Sequence, residues 1–219
     1  VRWTCSARPD RLDESLLALM RRAGCEAVYF GMETGSQRVQ ERIHKNLDVE
    51  VAIATLRMAA RHVSTVASFI VGFPFEEEAD LLATLDAALR LRAAHLTDVQ
   101  LHLLAPATGT PLLDEYRQAL LYDGSVGARM SVNVLTEWEE AEIRRHPDLF
   151  CSFYYYANPR IPRAAYRRLH ARFREQRDPR AALADAMRGA SLPVGARWTR
   201  ARACWYALRG ARSFPRFNS

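Results

Sequence analysis

The sequence predicts an α/β fold: about four β/α units in parallel order, followed by a mostly helical, arginine-rich extension. Three observations carry this. Short apolar runs alternate with amphipathic stretches over residues 1–104. The stretch Thr65 to Gly72 reads as a continuous apolar run, the pattern of a strand covered on both faces. Turn-forming and polar residues gather just after each predicted strand, at the carboxyl edge where parallel sheets bind ligands.

Residues 1–7 form the first predicted strand. Asp13 opens a helix with Leu12, Leu16, Leu19, Met20 and Ala23 on one face, and Gly24 suits its end. Ala27 to Phe30 is the second strand, leaving through Gly31-Met32-Glu33-Thr34-Gly35-Ser36. Ser36 caps a helix over Gln37 to His44. A further helix spans Val49 to Arg61. The Thr65 run breaks at Gly72-Phe73-Pro74. Residues 77–94 read as a long amphipathic helix, and Asp98 to Leu104 as the fourth strand. Four strands cannot close a barrel of six or eight. Beyond Pro111 the expectation is a helix over Leu112 to Leu121, a loop at Asp123 to Gly127, and a helix over Thr136 to Arg145. That last helix opens with a capping box of Thr136 and Glu139. An aromatic cluster from Phe150 to Tyr156 and a tail with two or three helical stretches follow.

The 219 residues are 49% apolar and 26% charged, which excludes a disordered chain. No apolar run reaches the roughly 18 residues of a membrane span, so no membrane partner is expected. The opening Val1-Arg2-Trp3-Thr4 carries neither Met nor signal-peptide features, so the chain is expected to be a processed product or a piece of something longer. Charge is unevenly placed. Residues 157–219 hold fifteen Arg against Glu175, Asp178 and Asp185, whereas residues 1–156 are net acidic. Lys45 is the sole lysine. Cys5, Cys25, Cys151 and Cys204 form no C-x-x-C pair, and such spacing suits single thiols in a reducing cytoplasm.

Several residues could carry chemistry. Glu33, after a buried strand, can accept hydrogen bonds from sugar hydroxyls or an amine, or simply pair with an Arg. Gly72 allows close backbone approach and Pro74 stiffens the turn, while Glu76, Glu77 and Glu78 suit a helix start. Arg8 has the geometry for a ligand carboxylate, or for capping a carbonyl. Lys45, beside His44 at a helix end, is explained by that position alone. His95, His102 and His146 show no metal-ligand spacing, and His102 is placed to face a sheet interior. Tyr154, within the aromatic cluster, either lines a pocket or packs. The basic tail lacks an RNA-binding motif, so nucleic acid is not the expected partner.

Taken in order, Trp3 to Asp10, Gly24 to Ser36, Lys45, Phe69 to Glu76, Thr84 and Gly109-Thr110-Pro111 resemble the later part of the radical S-adenosylmethionine enzymes, most closely the group with an N-terminal cobalamin-binding domain. The resemblance covers residues 1–115. It implies strands three to six of a partial (β/α)6 TIM-like barrel, with residues 116–219 as a helical extension. It also implies S-adenosylmethionine contacts at Glu33, Ser36, Arg8, Ile70, Gly72, Leu103 and Leu104, and a substrate pocket near Glu76, His102 and Tyr154. The implied activity is 5′-deoxyadenosyl-radical chemistry or cobalamin-dependent methyl transfer on a small molecule or peptide. The family's C-x-x-x-C-x-x-C loop for a 4Fe-4S cluster and its Gly-Gly-Glu element are absent. No metal ligand is therefore assigned. The partner expected is an N-terminal half of the same protein, and the chain alone is expected to be inactive and prone to associate through its open sheet edge. The competing reading is a non-catalytic interaction module whose basic tail binds nucleic acid or protein.

Overall fold

The computed structural model describes residues 1–94, 96–124 and 135–175. Four strands, β1 (Trp3–Ala7), β2 (Cys25–Glu33), β3 (Ser64–Val71) and β4 (Asp98–Leu103), form one parallel sheet in chain order. Between them run α1 (Glu14–Arg22), α2 (Gln37–Arg42), α3 (Val49–Ala59) and α4 (Glu78–Ala93). The four expected β/α units are therefore present. Helix starts are written locally: Asp13, Ser36 and Asp48 each accept a backbone N–H from three residues ahead.

The strands are packed chiefly on one face; on the other, Val66 is buried as well but most positions are partly open. Val28, Phe30 and Met32 of β2, Ala67, Phe69 and Val71 of β3, and Val99 and Leu101 of β4 are buried beneath helices. The residues between them face outward. Tyr29 is 45% exposed, and Ser68, Ile70, Gln100 and His102 are half-buried. The expectation that β3 is covered on both faces holds for Thr65 to Ala67, which are all buried, and is corrected for its later half. Its apolar run hides a period of two, because Ser68 and Ile70 stand on the open side. A parallel sheet with one open, polar face is unusual, and it leaves room for something else to lie there.

Two further expectations change. Strand β2 runs past Phe30 to Glu33, because β3 continues to pair with it through Gly31 and Glu33 after β1 has ended opposite Phe30. The helix expected over Leu112 to Leu121 is only α5 (Pro111–Tyr116) and a single tight turn over Arg117–Ala119. The chain then extends as β5 (Leu120–Leu121), antiparallel to β6 (Tyr155–Tyr156). A further bond, Ala157 N–H to the Ala119 carbonyl at 2.7 Å, and the edge-on contact of Tyr116 with Tyr156 favour extension over helix here. Helix α6 (Glu137–Arg145) has its capping box as read. Of the tail helices, α7 (Arg163–Arg174) is described; the rest of the tail, His95 and residues 125–127 of the predicted loop lie outside the described residues.

The hydrophobic core crosses residue 115. Ile161, Ala165, Tyr166, Leu169 and Phe173 join the same cluster as the sheet and α3–α4. The Arg92 guanidinium stacks 3.6 Å from the Phe173 ring centroid and donates to the Phe173 carbonyl, tying α4 to α7. Among the described residues no helix is long and apolar enough to cross a membrane.

Candidate functional site

The strand register brings the predicted residues to one edge. Ala7 pairs with Phe30, Glu33 with Phe69, Ile70 with His102, and Val71 with Leu103. Arg8, Glu33, Gly72 and Leu104 thus lie at successive carboxyl ends of neighbouring strands. The Leu104 N–H extends the ladder to the Val71 carbonyl at 2.8 Å, so that donor is committed. A Cβ added to Gly72 would lie 3.8 Å from Leu104, placing these two turns side by side.

The centre of this edge is Glu33. A bulge between Gly31 and Glu33 turns the chain, and Glu33 takes φ 59°. That left-handed conformation is costly for a glutamate, and such residues concentrate at functional sites. Its Oε1 accepts a hydrogen bond from Lys45 Nζ at 2.8 Å. Both side chains lie across Gly31: a Cβ there would stand 2.4 Å from Glu33 Oε1 and 3.2 Å from Lys45 Nζ. The pair is about four-fifths buried yet rests on the open face. Arg8 supports it from β1, donating to the Lys45 carbonyl at 2.9 Å. The same guanidinium is bidentate to Asp10 at 3.0 and 3.1 Å, and this bond holds the Asp10 carboxyl below its ordinary range. Arg8 is therefore a brace for Lys45, with its fork already filled.

Ser36, read as a cofactor contact, is buried and occupied elsewhere. Its hydroxyl caps α2 and donates to Asp80 Oδ1 at 2.5 Å. Asp80 also pairs with Arg38; burial alone would raise its carboxyl, but these partners hold it below the usual range. Thr34 meets Thr84 at 2.9 Å, and Gly35 N–H donates to Thr84 Oγ1 at 3.1 Å. Thr34-Gly35-Ser36 is thus the seat on which α4 docks.

Glu76, read as part of a substrate pocket, is fully buried. Its Oε2 accepts the Gly72 N–H at 2.9 Å and closes the turn beneath Gly72, whose φ is 104°. Burial pushes its carboxyl up to about 7. Tyr154 is also displaced from the expected pocket: its hydroxyl donates to the Ile143 carbonyl at 3.0 Å, and its ring packs on Tyr122. Pairing with α6 and residue 122 claims the side chain. His102 does reach the open face, beside Ile70 and 3.2 Å from Gln100 Oε1. Leu103 is half-buried against the core.

Lys45, the residue set aside on position alone, lies at the centre of this edge, paired with Glu33 and braced by Arg8. Its being the only lysine among thirty arginines was the available signal. Asn158 and Tyr166, which hold the Gly72 turn from below, had no local signature.

This edge gathers a carboxylate, Glu33, an adjacent cation, Lys45, and the half-buried Ile70 beside Gly72. An iron–sulfur cluster does not fit the described residues. Cys5, Cys25 and Cys151 are free thiols on β1, β2 and the 3₁₀ turn Cys151–Phe153, and no three metal-ligating side chains converge. The tail arginines of the competing interaction-module reading fall mostly outside the described residues. Arg163 and Arg167 both face Asp123 at 3.8 Å.

The chain is similar to several known proteins. The family model of the Radical SAM superfamily matches residues 1–88. An uncharacterized methyltransferase of Pyrococcus horikoshii is 32% identical over 113 residues, covering 51% of this chain and 24% of that protein. The tRNA-2-methylthio-N(6)-dimethylallyladenosine synthase of Syntrophomonas wolfei is 33% identical over 96 residues, covering 42% of this chain and 22% of that one. The aligned region spans about a quarter of these relatives' length. Among solved structures, the radical S-adenosylmethionine methyltransferase TsrM from Kitasatospora setae, with tryptophan substrate and a SAM analog bound, aligns with TM-score 0.52 and 19% identity over 85% of this chain and 36% of that one. At that identity the likeness shows the fold: a TIM-like β/α arrangement, here of four strands and not closed.

Proposed function

We propose, from the premise that residues 1–88 belong to the Radical SAM superfamily, that the carboxyl edge of this sheet is one wall of an S-adenosylmethionine site in a methyl- or methylthio-transferring enzyme. The observation that carries this reading is the Glu33–Lys45 pair laid over Gly31 at a strained backbone. Glu33 accepts hydrogen bonds from the ribose hydroxyls or the methionyl amine. Lys45 holds that carboxylate in place through the 2.8 Å hydrogen bond to its Oε1. Gly31 leaves the space both side chains occupy, and Ile70 with Gly72 gives the adenine an apolar strip. S-adenosylmethionine, when bound, supplies a transferable methyl group and the radical chemistry for which the family is named. The cluster ligands, the substrate and any cobalamin are assigned to parts of a longer protein outside this chain.

The test is calorimetric titration of the 219-residue chain with S-adenosylhomocysteine, which needs no cluster to bind. Wild type should bind, and Glu33→Gln should weaken binding roughly tenfold or more, the loss of one charge-assisted hydrogen bond. An unchanged affinity in Glu33→Gln, or no binding by the wild type, would overturn the reading.

A further inference from the structure

The Gly72–Glu76 turn is held by a segment remote in sequence. Asn158 Nδ2 donates to the carbonyls of Phe73 at 3.0 Å and Glu76 at 2.8 Å, and faces Tyr166 Oη at 3.2 Å, so its two hydrogens serve three acceptors. Asn158 is itself fixed, since its Oδ1 accepts the N–H groups of Arg160 and Ile161 at 2.8 and 3.0 Å. Tyr166, on α7, is 2% exposed and turns its hydroxyl toward Glu76. Glu76 Oε2 takes the Gly72 N–H, while Oε1 has no partner of full hydrogen-bond geometry among the described residues.

We propose that Asn158 and Tyr166 are positioning residues for the nucleoside wall: acting through Glu76, they lock the Gly72–Glu76 turn and so set how tightly the site holds an adenine nucleoside. The inference rests on the reading above. A glycine at φ 104° has no side chain to hold it, so its conformation depends on what grips its N–H. An ionised carboxylate grips more strongly than a neutral acid. A turn held in its binding shape loses less entropy when the ligand arrives.

The groups facing Glu76 come from three helices. Burial raises its carboxyl to about 7; the Gly72 N–H, the Tyr166 hydroxyl of α7 and Arg38 of α2 favour the ionised form, and Asp80 of α4 opposes it. Removing the Tyr166 hydroxyl should therefore move the titration upward. Neutralising Glu76 should loosen the turn and weaken the nucleoside.

Two readouts on the 219-residue chain test this. The first is the ¹⁵N–¹H shift of the Gly72 amide against pH. It should titrate with a midpoint of about 7 in wild type, about half a unit or more higher in Tyr166→Phe, and not at all in Glu76→Gln. The second is affinity for S-adenosylhomocysteine. It should fall several-fold as pH drops through that midpoint, at a higher pH in Tyr166→Phe, and Asn158→Ala should weaken it throughout. Tyr166→Phe keeps the ring and its packing, so a folded variant is expected. A variant with a lower melting temperature but an unmoved Gly72 midpoint has only a structural role there, and the proposal fails. If the Gly72 titration behaves as stated but no nucleoside binds at any pH, the turn lock stands and the nucleoside reading fails.

Discussion

The exits from β2 and β3 each carry a positive-φ residue and a glutamate, and the two glutamates have opposite fates. At the β2 exit the strain falls on Glu33 itself, and its carboxylate returns over Gly31 to meet Lys45 on the open face. At the β3 exit the positive φ falls on Gly72, which adopts it without a Cβ clash, and Glu76 turns inward, fully buried, to hold that glycine's N–H. One carboxylate is presented and the other is spent. The difference lies in the neighbours: a lysine across a missing side chain draws Glu33 outward, whereas Asn158 and Tyr166 close over Glu76.

Glycine substitutions at the β2 exit test the Glu33 side of this contrast most strongly. In Gly35→Ala the new Cβ would lie 2.4 Å from the Ala83 carbonyl oxygen and 2.8 Å from Ala87 Cβ, backbone and core that cannot yield. The cost should be about 2–3 kcal/mol in chemical denaturation, an overpacking penalty. In Gly31→Ala the obstacle is the tips of two flexible side chains. Stability should fall by less than about 1 kcal/mol, while S-adenosylhomocysteine binding drops as far as in Glu33→Gln. Equal stability losses in the two alanine variants would erase the distinction drawn here.

A smaller effect separates the glutamates by pH. The folded-state pKa of Glu76 is raised from 4.5 to about 7, so the folded chain binds its proton more tightly than the unfolded one. Its stabilising contribution is complete below about 4.5 and is lost as pH rises through about 7. Glu76→Gln should flatten that part of the stability–pH curve, and Glu33→Gln should leave it in place. The same rise in pH should strengthen nucleoside binding, so stability and affinity run in opposite directions. Urea midpoints measured across this range check the sign.

The sheet was legible because each strand and its crossover are local: caps at Asp13, Ser36 and Thr136 and apolar periodicity mark them without tertiary help. The carboxyl-edge residues were legible as a group for the same reason, since parallel strands in chain order place their exits side by side. Orientation was not. Nothing in Phe73-Pro74-Phe75-Glu76 says that Glu76 points inward, because Asn158 and Tyr166, which close over it, lie more than eighty residues on. Ser36 looked like a ligand contact because a cap and a contact need the same hydroxyl, and only Asp80 on α4 decides between them. The strand pair β5–β6 was missed because a two-residue strand is stabilised by its partner and not by its own composition.

The central claim is that four strand exits share one nucleoside wall, and amide-shift mapping of the 219-residue chain during titration with S-adenosylhomocysteine tests it directly. The account predicts that the largest changes fall together at Arg8, Gly31 to Thr34, Lys45, Val71 to Phe73, and Leu103 and Leu104. Changes confined to the opposite, amino-terminal ends of the strands or to α6 would contradict it.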